Sequence, residues 1–420
     1  MSSGARRFSV FDEGFLGMTP GLFTATIVVG VGSACVGAAY LLMMHWLQHV
    51  LWPDNWTDAG ELLVLPAIGV AVAVIAHTLG SPGNVELLVD NIHVSGAAPD
   101  VRALRSLVPM SLLTISAGGA AGPEAPLVTT CGSLAGLVAR KRSLKASDAR
   151  CLTIAGMAAA FTVLFGTPIG SALFALEILH RRGMEYHEAL LPAIVGALSG
   201  YGVFELLTRN GLAPIWHIPG SQAIRGVDLL WALGAGVVGA AIAVVYTVLT
   251  YIARRIFVVM PSVARPVLGG LALAALGFWT PYALTYGEAQ TTHVLAVQLS
   301  VGVLAVAVIA KLIASTVTLA SGWPGGFIIP LFFVGAAGGQ LAHHAFSGAS
   351  TVVMCSALMA AALVGVTKTV LGSTLVVTAM TGLQLLPTIL LAAVVSLLLT
   401  SGVRLIHTQR ERSDPMLETD

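Results

Sequence analysis

Long apolar runs constrain this chain more than any other feature of its sequence. Leu22–Leu47, Leu229–Ile252, Val267–Leu284 and Ile389–Leu399 with the residues before it approach or exceed the roughly 20 residues that a helix needs to cross a bilayer. Only 10% of the residues are charged, whereas a soluble domain carries roughly 25% and needs them to cover its surface. The sequence therefore predicts an all-α membrane protein with many spanning helices.

Glycine and proline interrupt the apolar sequence at three places, namely Gly80–Asn84, Ser116–Pro126 and Gly325–Pro330. A membrane tolerates broken helices only where protein shields the bare backbone or the backbone lines a cavity. Each break precedes an apolar segment, so it brings unpaired N–H donors and the positive end of a helix dipole to mid-membrane. Such a site suits a small monovalent anion, which partial charges attract but also release.

Glu124 lies in the second of these breaks, with a proline on each side of it. A lone carboxylate inside the membrane costs about 2.5–3.5 kcal/mol on insertion scales and is a functional candidate by default. At a helix N-terminus it meets the same donors that would bind a free anion. A carboxylate that occupies an anion site, and leaves it when protonated, is a gate. We therefore predict that Glu124 gates the pathway and accepts protons.

The chain also repeats itself. Met157-Ala-Ala-Ala recurs as Met359-Ala-Ala-Ala, and the same shift of 202 residues carries Gly170 onto Gly372. Chance matches between alanine-rich segments are the alternative explanation. Glycine- and proline-broken segments at corresponding positions of two halves indicate a transporter's binding site. We predict two repeat halves, residues 21–207 and 208–406, between short tails at 1–20 and 407–420.

Basic residues cluster in the segments between apolar runs and near the end of the chain: Arg140, Lys141, Arg142, Lys145, Arg150, Arg181, Arg182, Arg254, Arg255, Arg404, Arg410 and Arg412. The positive-inside rule places these clusters and both termini in the cytoplasm, as in a protein of the inner membrane. The net charge of +1 gives no indication of a nucleic-acid partner. The four cysteines are scattered without a Cys-x-x-Cys pair, and we expect neither a metal nor a cofactor.

Several motifs together resemble the CLC family of chloride channels and chloride/proton antiporters, in particular a divergent prokaryotic-type member without C-terminal CBS domains. Gly122-Pro-Glu-Ala-Pro126 is similar to the family's Gly-Arg-Glu-Gly-Pro segment, and Gly326-Phe-Ile-Ile-Pro330 to its Gly-x-Phe-x-Pro segment. Gly166–Glu177 resembles the middle helix of the family's first half, and Gly365–Gly382 a late helix. The likeness extends in the right order from about Gly80 to Pro387.

The resemblance implies two inverted-topology repeats whose broken helices meet at a mid-membrane anion site. It implies that Glu124 is the external gating glutamate, and that backbone N–H groups of Phe327 and Ile328 belong to the anion filter. It also implies a homodimer with one pore in each subunit, embedded in membrane lipid, that moves chloride or a related anion and is coupled to protons in some members. The candidate anion-binding residues are Ser81, Pro82, Gly83, Gly122, Gly326, Phe327 and Ile328.

The chain departs from the family pattern at the filter. An alignment through Glu86 places Pro82 at the family's selectivity serine, which removes a hydroxyl donor for chloride and favours nitrate. A shift of one residue restores Ser81 to that role. Pro123 replaces the arginine before the gate. The filter tyrosine near the C-terminus has no clear match, and neither Ile406 nor His407 is assigned to it.

A second departure concerns protons. The internal proton glutamate of the exchangers falls at Ile178, which cannot relay protons. The preceding Glu177 is either a structural carboxylate near Arg181 or an alternative relay. His77 is interpreted as a packing histidine rather than a shuttle, and Lys368 as either an anion-attracting charge or a side chain that reaches an aqueous vestibule.

Other functions stay open at this point. Within transport, the alternatives are a passive anion channel and a fluoride-selective exporter. A cation-coupled solute carrier would need no anion. An intramembrane enzyme would have to use Glu124 and Glu177 as an acid/base pair, but the sequence has no His-Glu-x-x-His or Gly-x-Ser-x-Gly motif to support it. We therefore predict that the protein is not an enzyme.

Overall fold

The fold is helical throughout the part of the chain that the structure describes. This computed structural model describes residues 18–52, 58–82, 89–93, 101–181, 184, 187–208, 213–218, 224–346 and 348–409. Within them the first half contains α1 (Pro20–Leu51), α2 (Asp58–Leu79), α3 (Leu104–Ser116), α4 (Glu124–Lys141), α5 (Ala146–Phe165), α6 (Pro168–Glu177) and α7 (Leu190–Thr208). The second half contains α8 (Gly226–Val258), α9 (Ala264–Trp279), α10 (Glu288–Ala296), α11 (Val301–Ala320), α12 (Ile328–Ala345), α13 (Thr351–Thr367), α14 (Val370–Thr381) and α15 (Leu386–Leu399).

The membrane prediction is confirmed by helix length and composition. Five helical segments are long and apolar enough to cross a bilayer: Pro20–Leu51, Ala146–Phe165, His187–Thr208, Gly226–Val258 and Val301–Ala320. The apolar run Val267–Leu284 does not form one helix, because α9 ends at Trp279 and a short 3-10 turn at Pro281–Ala283 follows. Proline cannot donate a helical hydrogen bond, and the side chain of Thr280 caps the new turn instead.

The centre of the fold is formed by α5 and α13. Residues 151–165 and 353–367 are buried without exception. Helix α5 packs against α4 and α7, and α13 packs against α12 and α8. Apolar side chains gain little by moving from lipid into protein, so helices in a membrane associate through close packing of their backbones. Small residues allow this close packing. At Gly239 in α8, for example, a Cβ atom would lie 2.4 Å from that of Ala361.

The repeat in the sequence corresponds to a repeat in the structure. Gly166 and Lys368 end α5 and α13, and both are left-handed, with φ of 67° and 66°. Gly118 and Gly322 follow α3 and α11, and they are also left-handed, with φ of 98° and 89°. The described residues therefore place equivalent helix ends at equivalent positions of the two halves.

The two halves meet at two crossings. Helix α6 packs against α14 where Gly170 contacts the backbone of Val376 and Gly372 contacts that of Phe174, so each glycine contacts the equivalent residue of the other helix. The second crossing is an isolated antiparallel bridge between Gly122 and Gly326. The chain runs in opposite directions at the bridge, as expected for inverted repeats. The boundary between the halves at residue 208 stays a prediction, because residues 209–212 lie outside the described segments.

Candidate functional site

The carboxylate of Glu124 lies between two helix N-termini from opposite halves of the chain. Glu124 is the first residue of α4 and is 1% exposed. Its Oε1 atom accepts a hydrogen bond of 2.5 Å from the backbone N–H of Ile329, in the first turn of α12. Its Oε2 atom is buried and has no hydrogen-bond partner among the described residues. The carboxylate therefore occupies the position at a helix N-terminus that favours an anion.

Gly122 and Gly326 make room for this carboxylate. A Cβ atom at Gly122 would lie 2.2 Å from Oε2 of Glu124, and one at Gly326 would lie 2.3 Å from it, closer than real atoms approach. The two glycines are joined by two backbone hydrogen bonds of 2.7 Å, in which each N–H donates to the other residue's carbonyl. The bridge thus fixes both loops against the gate residue.

These hydrogen bonds bear on two of the candidate anion-binding residues. In this structure the backbone N–H groups of Gly122 and Gly326 are each taken by the partner glycine, and a role of either residue in anion binding stays a prediction. The two breaks pair directly, which a sequence motif read separately in each half does not reveal. The role that the geometry supports is close approach of the backbone to Glu124.

A narrow cavity surrounds the carboxylate. It encloses about 20 Å³ and is lined by Glu124, Ile178, Gly326, Phe327 and Ile328 together with further apolar residues. That volume holds about one water molecule. Among the described lining residues, Glu124 is the one titratable side chain. The apolar Ile178, at the position of the exchangers' internal proton glutamate, also lines this cavity.

Two larger cavities flank this narrow one. The arginine-lined cavity, of about 260 Å³, is lined by Ser81, Pro82, Thr129, Thr250, Arg254 and Phe327, among others. The glutamate-lined cavity, of about 270 Å³, is lined by His45, Pro123, Tyr201, Glu205, Glu288 and Ile329, among others. Ala125 and Phe327 border both the arginine-lined and the narrow cavity. Pro123, which precedes Glu124, and Ile329, whose N–H donates to it, border the glutamate-lined cavity. Residues next to Glu124 in the chain, or bonded to it, thus border both larger cavities.

The two cavities are bordered by residues at different levels along α1. The glutamate-lined cavity includes Leu41 and His45, near the end of this helix. The arginine-lined cavity includes Leu107, at the start of α3, whose other end approaches the end of α1 through the hydrogen bond from Ser116 to the carbonyl of Met44. At Leu107 the arginine-lined cavity therefore reaches a level nearer the beginning of α1 than Leu41 and His45 do.

The remaining filter candidates are brought together in part. Ser81 is exposed and Pro82 is half-buried, and both line the arginine-lined cavity with Phe327. Ile328 lines the narrow cavity. Gly83 and Glu86 lie outside the described residues, so the choice between Ser81 and Pro82 as the selectivity position stays a prediction. Residues of the first and third breaks thus line one cavity, together with Ala125 and Pro126 of the second.

Part of this cavity was not predictable from the sequence. Leu405 and Ile406 line it from the segment after α15, where no filter residue had been assigned. Arg254 lines it from α8, more than 70 residues before the third break. The only earlier signal was that Ile406 falls near the family's filter tyrosine, and nothing in the sequence pattern connected Arg254 with the breaks.

The carboxylate of Glu177 is held by the second half of the chain. It accepts hydrogen bonds of 3.0 Å from the N–H of Leu371 and 2.7 Å from that of Gly372, in the first turn of α14. It thereby caps this helix, which supports the structural role among the two that the sequence left open. Neither the narrow cavity nor the two larger ones is lined by Glu177.

The other two singled-out side chains lie away from the gate. The ammonium group of Lys368 donates to the carbonyls of Gly365 and Thr400 and to the Thr400 hydroxyl, so it joins the C-terminal ends of α13 and α15. His77 is exposed on α2 rather than packed, contrary to expectation, because this part of the helix faces outward. Neither residue lines any of the three cavities.

Comparisons with known proteins agree with this geometry. The family model described as voltage gated chloride channel matches residues 85–401. A chloride/fluoride channel protein of Pseudomonas syringae pv. tomato is 25% identical over 407 residues, which cover 91% of this chain and 85% of that protein. A putative ion-transport protein, YfeO, of Escherichia coli is 26% identical over 409 residues, covering 93% and 95%.

Solved structures share the fold. The crystal structure of a CLC-type fluoride/proton antiporter superimposes with a TM-score of 0.82 at 22% sequence identity, covering 94% of this chain and 99% of that one. The structure of a slow cyanobacterial Cl⁻/H⁺ antiporter gives a TM-score of 0.80 at 18% identity, covering 92% and 95%. Both likenesses extend over nearly the whole chain.

Proposed function

The chain belongs to the voltage-gated chloride channel family, and we propose that it moves chloride or a related monovalent anion, such as nitrate, through a pathway that Glu124 gates. The observation that carries the proposal is the position of the Glu124 carboxylate. It lies on the N-terminus of α12, and residues next to it or bonded to it border two cavities at different levels along α1. An anion that passes from one cavity to the other has to take its place.

The gating chemistry follows from competition for the same donors. The charged carboxylate accepts the N–H of Ile329 and excludes a second anion from that position by repulsion and by volume. A protonated carboxyl loses most of this attraction, so an anion can compete for the helix N-terminus. The pathway should therefore conduct more when Glu124 is protonated.

A separate part of the proposal is whether anion flow is coupled to proton movement. Ile178 lines the narrow cavity, and Glu177 caps α14 instead of facing the gate. This arrangement favours passive anion flow over coupled exchange. The alternatives are a proton-coupled exchanger, in which Glu124 carries the proton alone, and a fluoride-selective exporter, which the likeness to the chloride/fluoride channel protein of Pseudomonas syringae favours.

The deciding experiment is anion efflux from proteoliposomes loaded with chloride, nitrate or fluoride, with internal pH recorded at the same time. Passive flow predicts anion flux that no proton movement accompanies. An anion gradient that drives protons uphill would identify an exchanger. Absence of flux for all three anions in folded protein would refute the proposal, and solute uptake without an anion requirement would favour a cation-coupled carrier.

Orientation and assembly are part of the same proposal. The guanidinium of Arg142, in the basic cluster after α4, donates to the hydroxyl of Thr24, so this cluster lies near the beginning of α1. With the positive-inside rule, this supports cytoplasmic termini and an arginine-lined cavity open to the cytoplasm of an inner-membrane protein. We propose a homodimer with one pathway in each subunit. The mass of the detergent-solubilised protein would test the dimer, and labelling of single cysteines from either side would test the orientation.

A further inference from the structure

Two buried threonines reach from one half of the chain to the other beside the gate. The hydroxyl of Thr114, in α3, donates a hydrogen bond of 3.0 Å to the carbonyl of Pro324, next to the third break. The hydroxyl of Thr318, in α11, accepts one of 3.2 Å from the N–H of Ala120 in the second break. Thr114 is 1% exposed and Thr318 is fully buried. We call these two contacts between the halves the threonine ties.

The threonine ties are equivalent contacts of the two repeats. One step of 204 residues carries Thr114 onto Thr318, and the same step relates the two residues that they bond. The backbone carbonyl of Thr114 accepts the N–H of Gly119 at 2.9 Å. In the same way, the carbonyl of Thr318 accepts the N–H of Trp323 at 3.2 Å. Each threonine therefore holds the break that follows it with its carbonyl and the segment from the opposite half with its hydroxyl.

The threonine ties are the first of three successive contacts between the second and third breaks. The second contact along the chain is the bridge between Gly122 and Gly326. The third is the hydrogen bond from the N–H of Ile329 to the carboxylate of Glu124. The gate and its donor belong to different halves, so their separation depends on how firmly the two breaks are held together. The threonine ties therefore support the carboxylate against its donor.

We propose that Thr114 and Thr318 position the two breaks so that the charged Glu124 closes the pathway tightly. This inference rests on the proposed function, because it concerns how well the gate excludes an anion. A hydrogen bond of ordinary net strength changes the equilibrium between two arrangements by about two- to tenfold. Without one of the ties, the breaks separate more readily and the closed pathway leaks. The pathway with a protonated gate is already open, so its flux should not change.

The test replaces each threonine with valine, which keeps the shape of the side chain and removes the hydroxyl. The control is Thr162→Val in α5, where the buried hydroxyl donates to the carbonyl of Ala158 in its own helix at 2.8 Å. All three variants lose one buried hydroxyl, but only the first two lose a bond between the halves. Thr114→Ser and Thr318→Ser keep the hydroxyl and should behave as the unchanged protein does.

The measurement is the ratio of chloride efflux at pH 4 to that at pH 8 from proteoliposomes. A variant that merely folds less well loses flux at both pH values and keeps the ratio. We expect Thr114→Val and Thr318→Val to raise the flux at pH 8, and to lower the ratio, by about two- to tenfold. Thr162→Val should keep the ratio. When Glu124 is replaced by alanine, neither tie variant should raise the flux at pH 8 further, because the gate is absent.

Three results would overturn the inference: an unchanged ratio in folded Thr114→Val, an equal change of the ratio in Thr162→Val, or a further rise at pH 8 when Glu124 is alanine. Size-exclusion profiles establish that each variant is folded. Thr114→Val decides the test if Thr318→Val, which takes the acceptor from a buried N–H, does not fold. If the unchanged protein carries no anion, the proposed function fails, whereas a failure confined to the valine variants refutes the threonine ties alone.

Discussion

The gate makes the sharpest prediction. Replacing Glu124 with glutamine keeps its size and its acceptor towards the N–H of Ile329 but removes the charge and the titration. A hydrogen bond to a charged group is worth about 1.5–3 kcal/mol net and one between neutral groups about 0.5–1.5 kcal/mol, so the side chain holds α12 less tightly by about 1 kcal/mol. An anion that competes for this N-terminus should then bind about fivefold more tightly.

The pH dependence of flux should disappear with the same change. A single titrating carboxyl can change the flux by at most about tenfold per pH unit, and the amide does not titrate in this range. Glu124→Ala should also be independent of pH, and it should conduct faster than Glu124→Gln because it empties the space between the cavities. The control is Glu288→Gln, which alters a carboxylate that lines the glutamate-lined cavity and accepts from the hydroxyl of Tyr286. This control should retain the pH dependence.

The assay is chloride efflux from proteoliposomes at a series of pH values between 4 and 8, a range that brackets the ordinary carboxyl pKa. If folded Glu124→Ala and Glu124→Gln carry no flux, or the same flux as the unchanged protein, the Glu124 side chain does not block the pathway. A pH profile in Glu124→Gln that matches the unchanged protein would refute the gate assignment itself, because no titrating group would then remain at that position.

Two further predictions concern selectivity and packing. Pro82→Ser introduces a hydroxyl donor into the arginine-lined cavity and should shift the chloride-to-nitrate flux ratio towards chloride by about tenfold. If this ratio is unchanged and Ser81→Ala loses chloride flux, Ser81 is the selectivity residue instead. Gly372→Ala would place a Cβ atom 2.4 Å from Cα of Phe174, so thermal unfolding in detergent should show a loss of about 1–3 kcal/mol. Gly302→Ala, where a Cβ atom would meet nothing within 4 Å, should leave stability unchanged or slightly raised, and equal behaviour of the two alanine variants would contradict the close crossing of α6 and α14.

Local chemistry explains which features were predictable. Glu124 was recognisable because a carboxylate is rare in an apolar sequence and costly in a membrane. Gly122 and Gly326 were recognisable as points of close backbone approach, although their N–H groups turned out to bond each other. Helix α4 begins at Glu124 itself, because a proline in the first turn is compatible with a helix.

Contacts between distant segments were not predictable in the same way. The donor to Glu124 is Ile329, 205 residues further along the chain. Arg254 and Ile406 join Ser81 in one cavity, although hydropathy marks none of them as neighbours. Lys368 was weighed as an anion-attracting charge, but its ammonium group bonds the ends of two helices.

By itself, then, the sequence determined that this chain is a helical membrane protein, that its helices break at three places, and that one acid lies at such a break. These properties depend on the residues within one segment and on their transfer to lipid. The tertiary structure decided what the acid faces, which of the three breaks share a cavity, and which charges line it. Those properties depend on how helices from the two halves cross, and the crossing is set by small-residue contacts such as those of Gly170 and Gly372 between segments about 200 residues apart.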